Sequence, residues 1–430
     1  MLKASCTNVA VLGVPFHNVT MDEAVALIEE HIREGGFHQI ATANVDFLKN
    51  AMHNTDLRNI LCSCEMIVPD GMPVVWISRL IGAPLKERVG GIDLVERMAD
   101  VSARRGYRIF LLGASEERSQ CAAKVLKQRF PDLCIAGRYS PEPQPLEKMD
   151  HEEILRRIEE ASPDILLVAF GNPKQEQWIA MHRDRLKVPV CIGVGGTLDH
   201  LSGTVPRAPN WMQRSGLEWL HRTLQEPKRL MVRYLADAIC LLQYLPGYIA
   251  ATAAQPMHSE MANIVVQQVG NTKLISLIGD LRGQALDEFN LCSRDAYIEG
   301  MNIVLDMSQV GYLGPESLGS LIRLESRMRR RREQLWLAEL PPHLSRVLRT
   351  GQLHNYFMTT TMVSDALYRT AKAEQRLLAS FTPAWGANYR EAAHVDIRIE
   401  LLQDVCQRMI TADEANETTL IPAAFASISR

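Results

Sequence analysis

The 430-residue sequence lacks the spacings that mark several large functional classes. It has no GxGxxG run, no GxxxxGK[ST] loop and no HExxH pair, so the signatures of nicotinamide-cofactor, P-loop and zinc-peptidase chemistry are missing. Its nine cysteines (Cys6, Cys62, Cys64, Cys121, Cys134, Cys191, Cys240, Cys292, Cys406) form no CxxC pair and no Cys/His ligand spacing. Neither a disulfide framework nor a metal site is therefore expected, and a reducing cytosol suits the chain. No uninterrupted apolar run approaches the about 20 residues that span a bilayer, and the N-terminus shows no secretory signal, so a cytoplasmic location is expected. A basic excess is missing too. With 47 Lys+Arg against 50 Asp+Glu, the net charge is -3, which disfavours a dedicated nucleic-acid binder.

What is present is ordinary globular material, 47% apolar and 23% charged. At about 150 residues per domain the length predicts two or three domains. Apolar runs at 9–12, 39–43, 66–68, 108–112, 133–136, 165–170 and 190–194 alternate with amphipathic segments, the pattern of an α/β domain with a parallel sheet. Thr20-Met21-Asp22-Glu23 reads as a capping box opening the first helix. Ligands of such sheets bind beyond the C-terminal strand ends, so the loops after these runs are where function should lie.

Those loops carry short polar residues. Thr42, Asn44 and Asp46 follow the second run and are good helix caps. Asp70, between Pro69 and Gly71, follows the third, where an acid can cap a helix or act as a general base. Gly171-Asn172-Pro173-Lys174-Gln175-Glu176 follows the most apolar run, with Gln175 and Glu176 near exposed helix amides that attract anions. Gly193-Val194-Gly195-Gly196-Thr197-Leu198-Asp199 is a glycine-rich strand end. The turn at Gly113 could hold a diphosphate, although any βα turn has this pattern.

From 208 to 245 the pattern turns helical and basic, with six cations from Arg207 to Arg233 (Arg207, Arg214, Arg222, Lys228, Arg229, Arg233) against Glu218 and Glu226. Arg222, Arg229 and Arg233, seven and four residues apart, share one helical face if the helix continues past Pro227. The apolar stretch 235–245 is expected to stop at Pro246-Gly247 and, beside these arginines, to lie in the headgroup layer; the runner-up, towards which Asp237 points, is a buried dimer interface. Residues 250–263 read as a linker. A second α/β unit follows, a small mixed sheet with helices on one side, and residues 373–430 carry little signal.

Five segments in order, Thr42-Ala43-Asn44-Val45-Asp46, Pro69-Asp70-Gly71-Met72-Pro73, Arg88-Val89-Gly90-Gly91-Ile92-Asp93, the Gly171 loop and the Gly193 loop, resemble the WecG/TagA/CpsF family, glycosyltransferase family 26, across about residues 9–245. The resemblance implies a Rossmann-like catalytic domain (1–206) with a helical membrane-docking appendage (207–249). It implies an inverting, metal-independent, cofactor-free enzyme that moves a sugar from a UDP-sugar to a polyprenyl-diphosphate-linked saccharide in bacterial surface polysaccharide assembly. Asp70 matches the proposed base. Thr42, Asn44, Gly113, Gln175, Glu176 and Asp199 are expected on the donor, and Arg222, Arg229 and Arg233 are expected to complete the site from the appendage. The protein would then be peripheral on the inner face of the plasma membrane.

Residues 264–372 resemble STAS domains, carried by the run from Ile303 to Gly319. Where that family has Asp-Ser-Ser-Gly, this chain has Gly314-Pro315-Glu316-Ser317, which leaves Glu316 at the phosphoacceptor position and implies a constitutive docking module for a protein partner. The rival to the enzyme reading is a catalytically silent STAS-containing scaffold at the membrane.

Overall fold

The computed structural model describes residues 7–203, 207–209, 211–212, 217–225, 227–256 and 263–381, the side chains of Arg229 and 374–381 excepted. They form two units, the first built on residues up to Ala253.

The first unit begins with a hairpin, β1 (Asn8–Val11) and β2 (Val14–His17), paired antiparallel and separate from the main sheet. The run at 9–12 is thus a strand, but not a member of the parallel sheet. Then come α1 (Met21–Glu34), β3 (His38–Ala43), α2 (Val45–His53), α3 (Thr55–Ser63), β4 (Met66–Pro69), α4 (Met72–Leu80), α5 (Gly91–Arg105), β5 (Arg108–Gly113), α6 (Glu116–Arg129), β6 (Cys134–Tyr139), α7 (His151–Ala161), β7 (Ile165–Ala169), α8 (Lys174–Met181), β8 (Val190–Gly193) and α9 (Thr197–Leu201). The capping box forms: Glu23 N donates to Thr20 Oγ1 (3.2 Å) and Thr20 N to Glu23 Oε2 (2.8 Å).

Six strands pair in parallel in the order β4-β3-β8-β7-β5-β6. Alternate residues feed two sides, as the pleat requires. Ile40, Met66, Ile109, Ile165 and Ile192 join one core with α1, α5, α6 and α9, while Ala41, Ile67, Phe110, Leu166 and Cys191 face α2, α3, α4, α7 and α8 on the other side. Burial on both faces explains why these strands read as continuous apolar runs. The chain leaves β3 for β4 on one side and later returns with β8 on the other, so a crevice opens above the C-terminal ends of β3 and β8.

Two helices complete the unit, α10 (Glu218–Gln225) and α11 (Pro227–Ala253). Arg222 therefore stands on a different helix from Arg229 and Arg233, and the single face expected from their spacing does not exist. Nor does α11 end at Pro246. Cys240, Leu241, Tyr244, Leu245, Tyr248 and Ile249, at helical spacing, join the core of α2 and the hairpin, and Tyr248 Oη donates to Ala10 O at 3.0 Å. Packing on both sides of Pro246 outweighs the one helix hydrogen bond that a proline removes. Residues 250–253, expected in the linker, are helical. Asp237, the residue that had favoured a dimer interface, is 5% exposed and pairs with Lys49 of α2 at 2.8 Å within the same unit.

Beyond Ala253 come β9 (Asn263–Val269), β10 (Thr272–Leu281), α12 (Gln284–Ile298), β11 (Asn302–Leu313), α13 (Pro315–Arg330), β12 (Leu335–Ala338), α14 (Pro342–Thr350), β13 (Met358–Thr360) and α15 (Val363–Phe381), which make up the second unit except for residues 315–323 and 350–352, grouped with the first. The sheet order is β13-β12-β11-β10-β9, with only β9–β10 antiparallel. Leu274, Val304 and Trp336 pack with Ala366 and Leu367 of α15. Ile303 and Leu305, facing the other way, are equally buried, so both sheet faces are covered rather than the one expected. Of its arginines, the exposed Arg331 lies over Tyr297 (4.1 Å) and the exposed Arg329 over Tyr356 (4.6 Å).

Candidate active site

Strand ends and α5 build the floor of the crevice. Thr42, near the end of β3, is 4% exposed and its Oγ1 donates to Gly193 O (3.1 Å), tying β3 to β8. Asn44 caps α2, accepting from Asp46 N at 3.0 Å. Asp70 N donates to Ala43 O (2.9 Å), which fixes the loop after β4, and its carboxylate accepts from Gly91 N at the start of α5. Gly91 is where the floor closes: a Cβ there would lie 3.2 Å from Thr42 Oγ1, 3.3 Å from Thr197 Oγ1 and 3.5 Å from Asp70 Oδ2. Thr42, Thr197 and Asp70 thus crowd one position, where a Cβ would press on both threonine hydroxyls.

The result is a cleft of about 800 Å³, lined by these residues, by the Gly171 and Gly195 loops, and by Arg207, α10 and α11. Burial pushes the Asp70 carboxyl above its ordinary value, Arg222 and Arg88 draw it back, and Glu218 adds to the rise. A carboxylate held this way is a stronger base than one in water.

Cations close the cleft from above. Arg88 spans Asp93 (2.7 Å) and Glu218 (3.0 Å), and Arg207 pairs with Asp93. Arg222 Nη2 sits 2.7 Å from His200 Nε2, and Arg233 stacks on Tyr234 at 4.9 Å. The Nε atoms of Arg222 and Arg233 are buried without a protein partner among the described residues. Buried donors left open in this way fit an anionic ligand.

Residues 9–253, more than half the chain, match the profile described as the Glycosyl transferase WecG/TagA/CpsF family. The chain belongs to this glycosyltransferase family. Two Staphylococcus aureus proteins, of strains MRSA252 and MW2, are similar to it at 31% and 30% identity over 230 residues, 53% of this chain and 89% of each of theirs. Both are named N-acetylglucosaminyldiphosphoundecaprenol N-acetyl-beta-D-mannosaminyltransferase. Residues 264–363 of this WecG/TagA/CpsF glycosyltransferase match the profile "Mlab, STAS domain". Among solved structures, the anti-sigma factor antagonist SpoIIAA in its unphosphorylated form is 17% identical with a TM-score of 0.23, covering 25% of this chain and 95% of that one.

In this glycosyltransferase, Thr42, Asn44, Asp70, Gln175, Asp199, Arg222 and Arg233 all line the cleft. Gly113 and Glu176 do not, and each has another job. A Cβ on Gly113 would come within 2.8 Å of Ala169 O, so glycine there lets β5 pass β7. Glu176 is 1% exposed beneath Gly193. It accepts from Gln175 Nε2 (2.7 Å) and Asn172 Nδ2 (3.0 Å), and burial pushes its carboxyl up to about 8. Gln175 in turn accepts from Gly171 N (3.1 Å) and Gly195 N (3.0 Å), so it holds two loops together at the edge of the cleft. Asp199 pairs with Arg118 at 3.0 Å. The side chain of Arg229 lies outside the described residues. Arg88, Asp93, Thr197, His200, Arg207 and Glu218 had not been chosen from the sequence as site residues. Arg88 and Asp93 stand in a quoted motif, but they flank a loop between two helices, which a search of strand ends passes over.

Proposed function

We propose that the enzyme transfers a hexose-type sugar from a UDP-sugar to a polyprenyl-diphosphate-linked saccharide, with inversion at the anomeric carbon and without a catalytic metal. Asp70 takes the proton of the acceptor hydroxyl as that oxygen attacks the anomeric carbon, and the bond to the UDP oxygen breaks. Arg222 and Arg233 meet the charge that develops on the departing diphosphate. The observation that carries this reading is one cleft lined by a half-buried carboxylate whose pKa is raised and by two guanidinium groups whose Nε atoms have no protein partner among the described residues. The acceptor class follows the relatives' printed name. The test is a mass assay of several UDP-sugars against polyprenyl-diphosphate-linked acceptors. Transfer from at least one donor is expected, and its absence from folded protein would leave the scaffold reading in its place.

The acceptor's lipid calls for a membrane surface, and α11 offers one. Leu230–Ala253 is 24 residues long with a mean hydropathy of 1.2, enough to cross a bilayer by length and composition alone. One face is packed on the catalytic core, whereas Met231, Val232, Leu235, Ile239 and Leu242 are 56–76% exposed. A helix so divided suits the headgroup layer better than a span, which supports reading the protein as peripheral, on the inner face of the membrane. The STAS-like unit is read as a docking module for a protein partner without a phosphoswitch. Glu316 has no hydroxyl and Ser317 is 1% exposed. Phosphopeptide mapping of protein from cells should find no phosphate on the segment Gly314-Pro315-Glu316-Ser317.

A further inference from the structure

At the end of the parallel sheet remote from the cleft, three ligand-type side chains meet across one turn. His31 and Glu34 stand on the last turn of α1, and His38 opens β3. Between them the chain reverses through Gly35 and Gly36, at φ 67° and 82°, values that favour glycine. Glu34 Oε2 lies 3.5 Å from His31 Nδ1 and 3.7 Å from His38 Nε2, and one ligand atom from each residue falls within 4.8 Å of the others. A charge-assisted hydrogen bond would draw such pairs to about 2.7–2.9 Å. The edge of a tetrahedron with metal–ligand bonds of about 2.0–2.1 Å is roughly 3.3 Å, which the observed spacing approaches more closely.

Proton placement agrees. His38 Nδ1 is 3.0 Å from Pro189 O, which can only accept, so the proton of the neutral ring sits on Nδ1 and the lone pair on Nε2, the atom facing Glu34. Metal-binding histidines use this outer hydrogen bond to fix their tautomer.

We propose that His31, Glu34 and His38 form a three-ligand site for a divalent ion of the zinc class, with water in the fourth position, which staples the end of α1 to the start of β3. Two imidazoles select such an ion over Mg²⁺ or Ca²⁺. The rings now lie nearly parallel, 4.2 Å between centroids, and binding turns them about χ2 so that both lone pairs meet one point. Six residues of strand, roughly 20 Å, separate His38 from Asn44, so the ion stays clear of the cleft and its role is structural.

The test uses the full chain, stripped with chelator, dialysed and titrated with Zn²⁺ by calorimetry, with bound metal counted after gel filtration and Tm read in parallel. Wild type should retain one more equivalent of zinc than His31→Ala or His38→Ala, and only wild type should gain Tm from that equivalent. Because the result is a difference between chains, zinc held by cysteines cancels. Glu34→Gln, at a surface position, should bind zinc at least 10-fold more weakly, and it serves as the test if a histidine variant fails to fold. Mg²⁺ at millimolar concentration should not displace the zinc. Equal zinc content and equal Tm response in wild type and the folded variants would overturn the site.

Discussion

The two walls of the cleft are built on opposite terms. On the strand-end wall the polar side chains are committed: Thr42 to Gly193, Asn44 to Asp46, Gln175 to Gly171, Gly195 and Glu176. On the helical wall, Arg222 and Arg233 each keep a buried nitrogen without a protein partner among the described residues. The first wall is a preorganised scaffold, and the second is where ligand charge can be met. Asp70 joins them, since its backbone belongs to the strand ends while its carboxyl feels Arg222.

Removing the joint should have the largest effect. Asp70→Asn is expected to cut turnover by about 10²- to 10⁴-fold while leaving UDP affinity near wild type, measured by kcat and calorimetry. It should also raise Tm at neutral pH. A carboxyl whose folded pKa is raised favours the folded state less as pH climbs from its unfolded pKa through its folded one, and the amide removes that penalty.

On the helical wall, at least one of Arg222→Ala and Arg233→Ala should lose about 10²- to 10³-fold in turnover on a detergent-soluble acceptor. Binding to anionic vesicles should weaken only by about 1 kcal/mol per charge, and added salt should mimic that loss. Full turnover in both variants would reduce the helices to an anchor.

The scaffold wall predicts a smaller, pH-dependent effect. Glu176 titrates near 8 when folded against 4.5 otherwise, so its contribution to stability is present below about 4.5 and is lost as pH rises through about 8. Glu176→Gln should flatten this part of the curve, so that its Tm gains on wild type between pH 5 and pH 8.5. Parallel Tm curves would contradict the buried carboxyl. Turnover should change least of all on adding excess chelator, even if Tm falls through loss of an ion at His31.

Much of the fold was legible because the doubly covered strands of the sheet read as unbroken apolar runs. The short β2 was not, since Val14-Pro15-Phe16-His17 offers four residues and a proline. At the site, strand-end position singled out Thr42, Asn44 and Asp70, which line the cleft, but offered them as helix caps as readily as ligand contacts, and only the family resemblance suggested roles for them. What escaped depends on tertiary contact. The spacing of Arg222, Arg229 and Arg233 assumed one helix where there are two, and Pro246 read as a stop although Tyr248 packs beyond it. Glu176 was expected on the donor because nothing in the sequence says that Gly193 leaves room for it beneath the strand end. The His31 cluster was invisible to a search for cysteine spacings, since a glycine turn brings its third member round.

That the two walls act through one carboxylate is best tested by the pH dependence of kcat/KM in wild type and Arg222→Ala. Burial raises the pKa of Asp70 and Arg222 lowers it, and the reaction needs the carboxylate, so removing Arg222 should move the acid limb to higher pH. A limb that stays where it is in wild type, on an enzyme that still turns over, would mean that Asp70 is not the base or that Arg222 does not stand beside it.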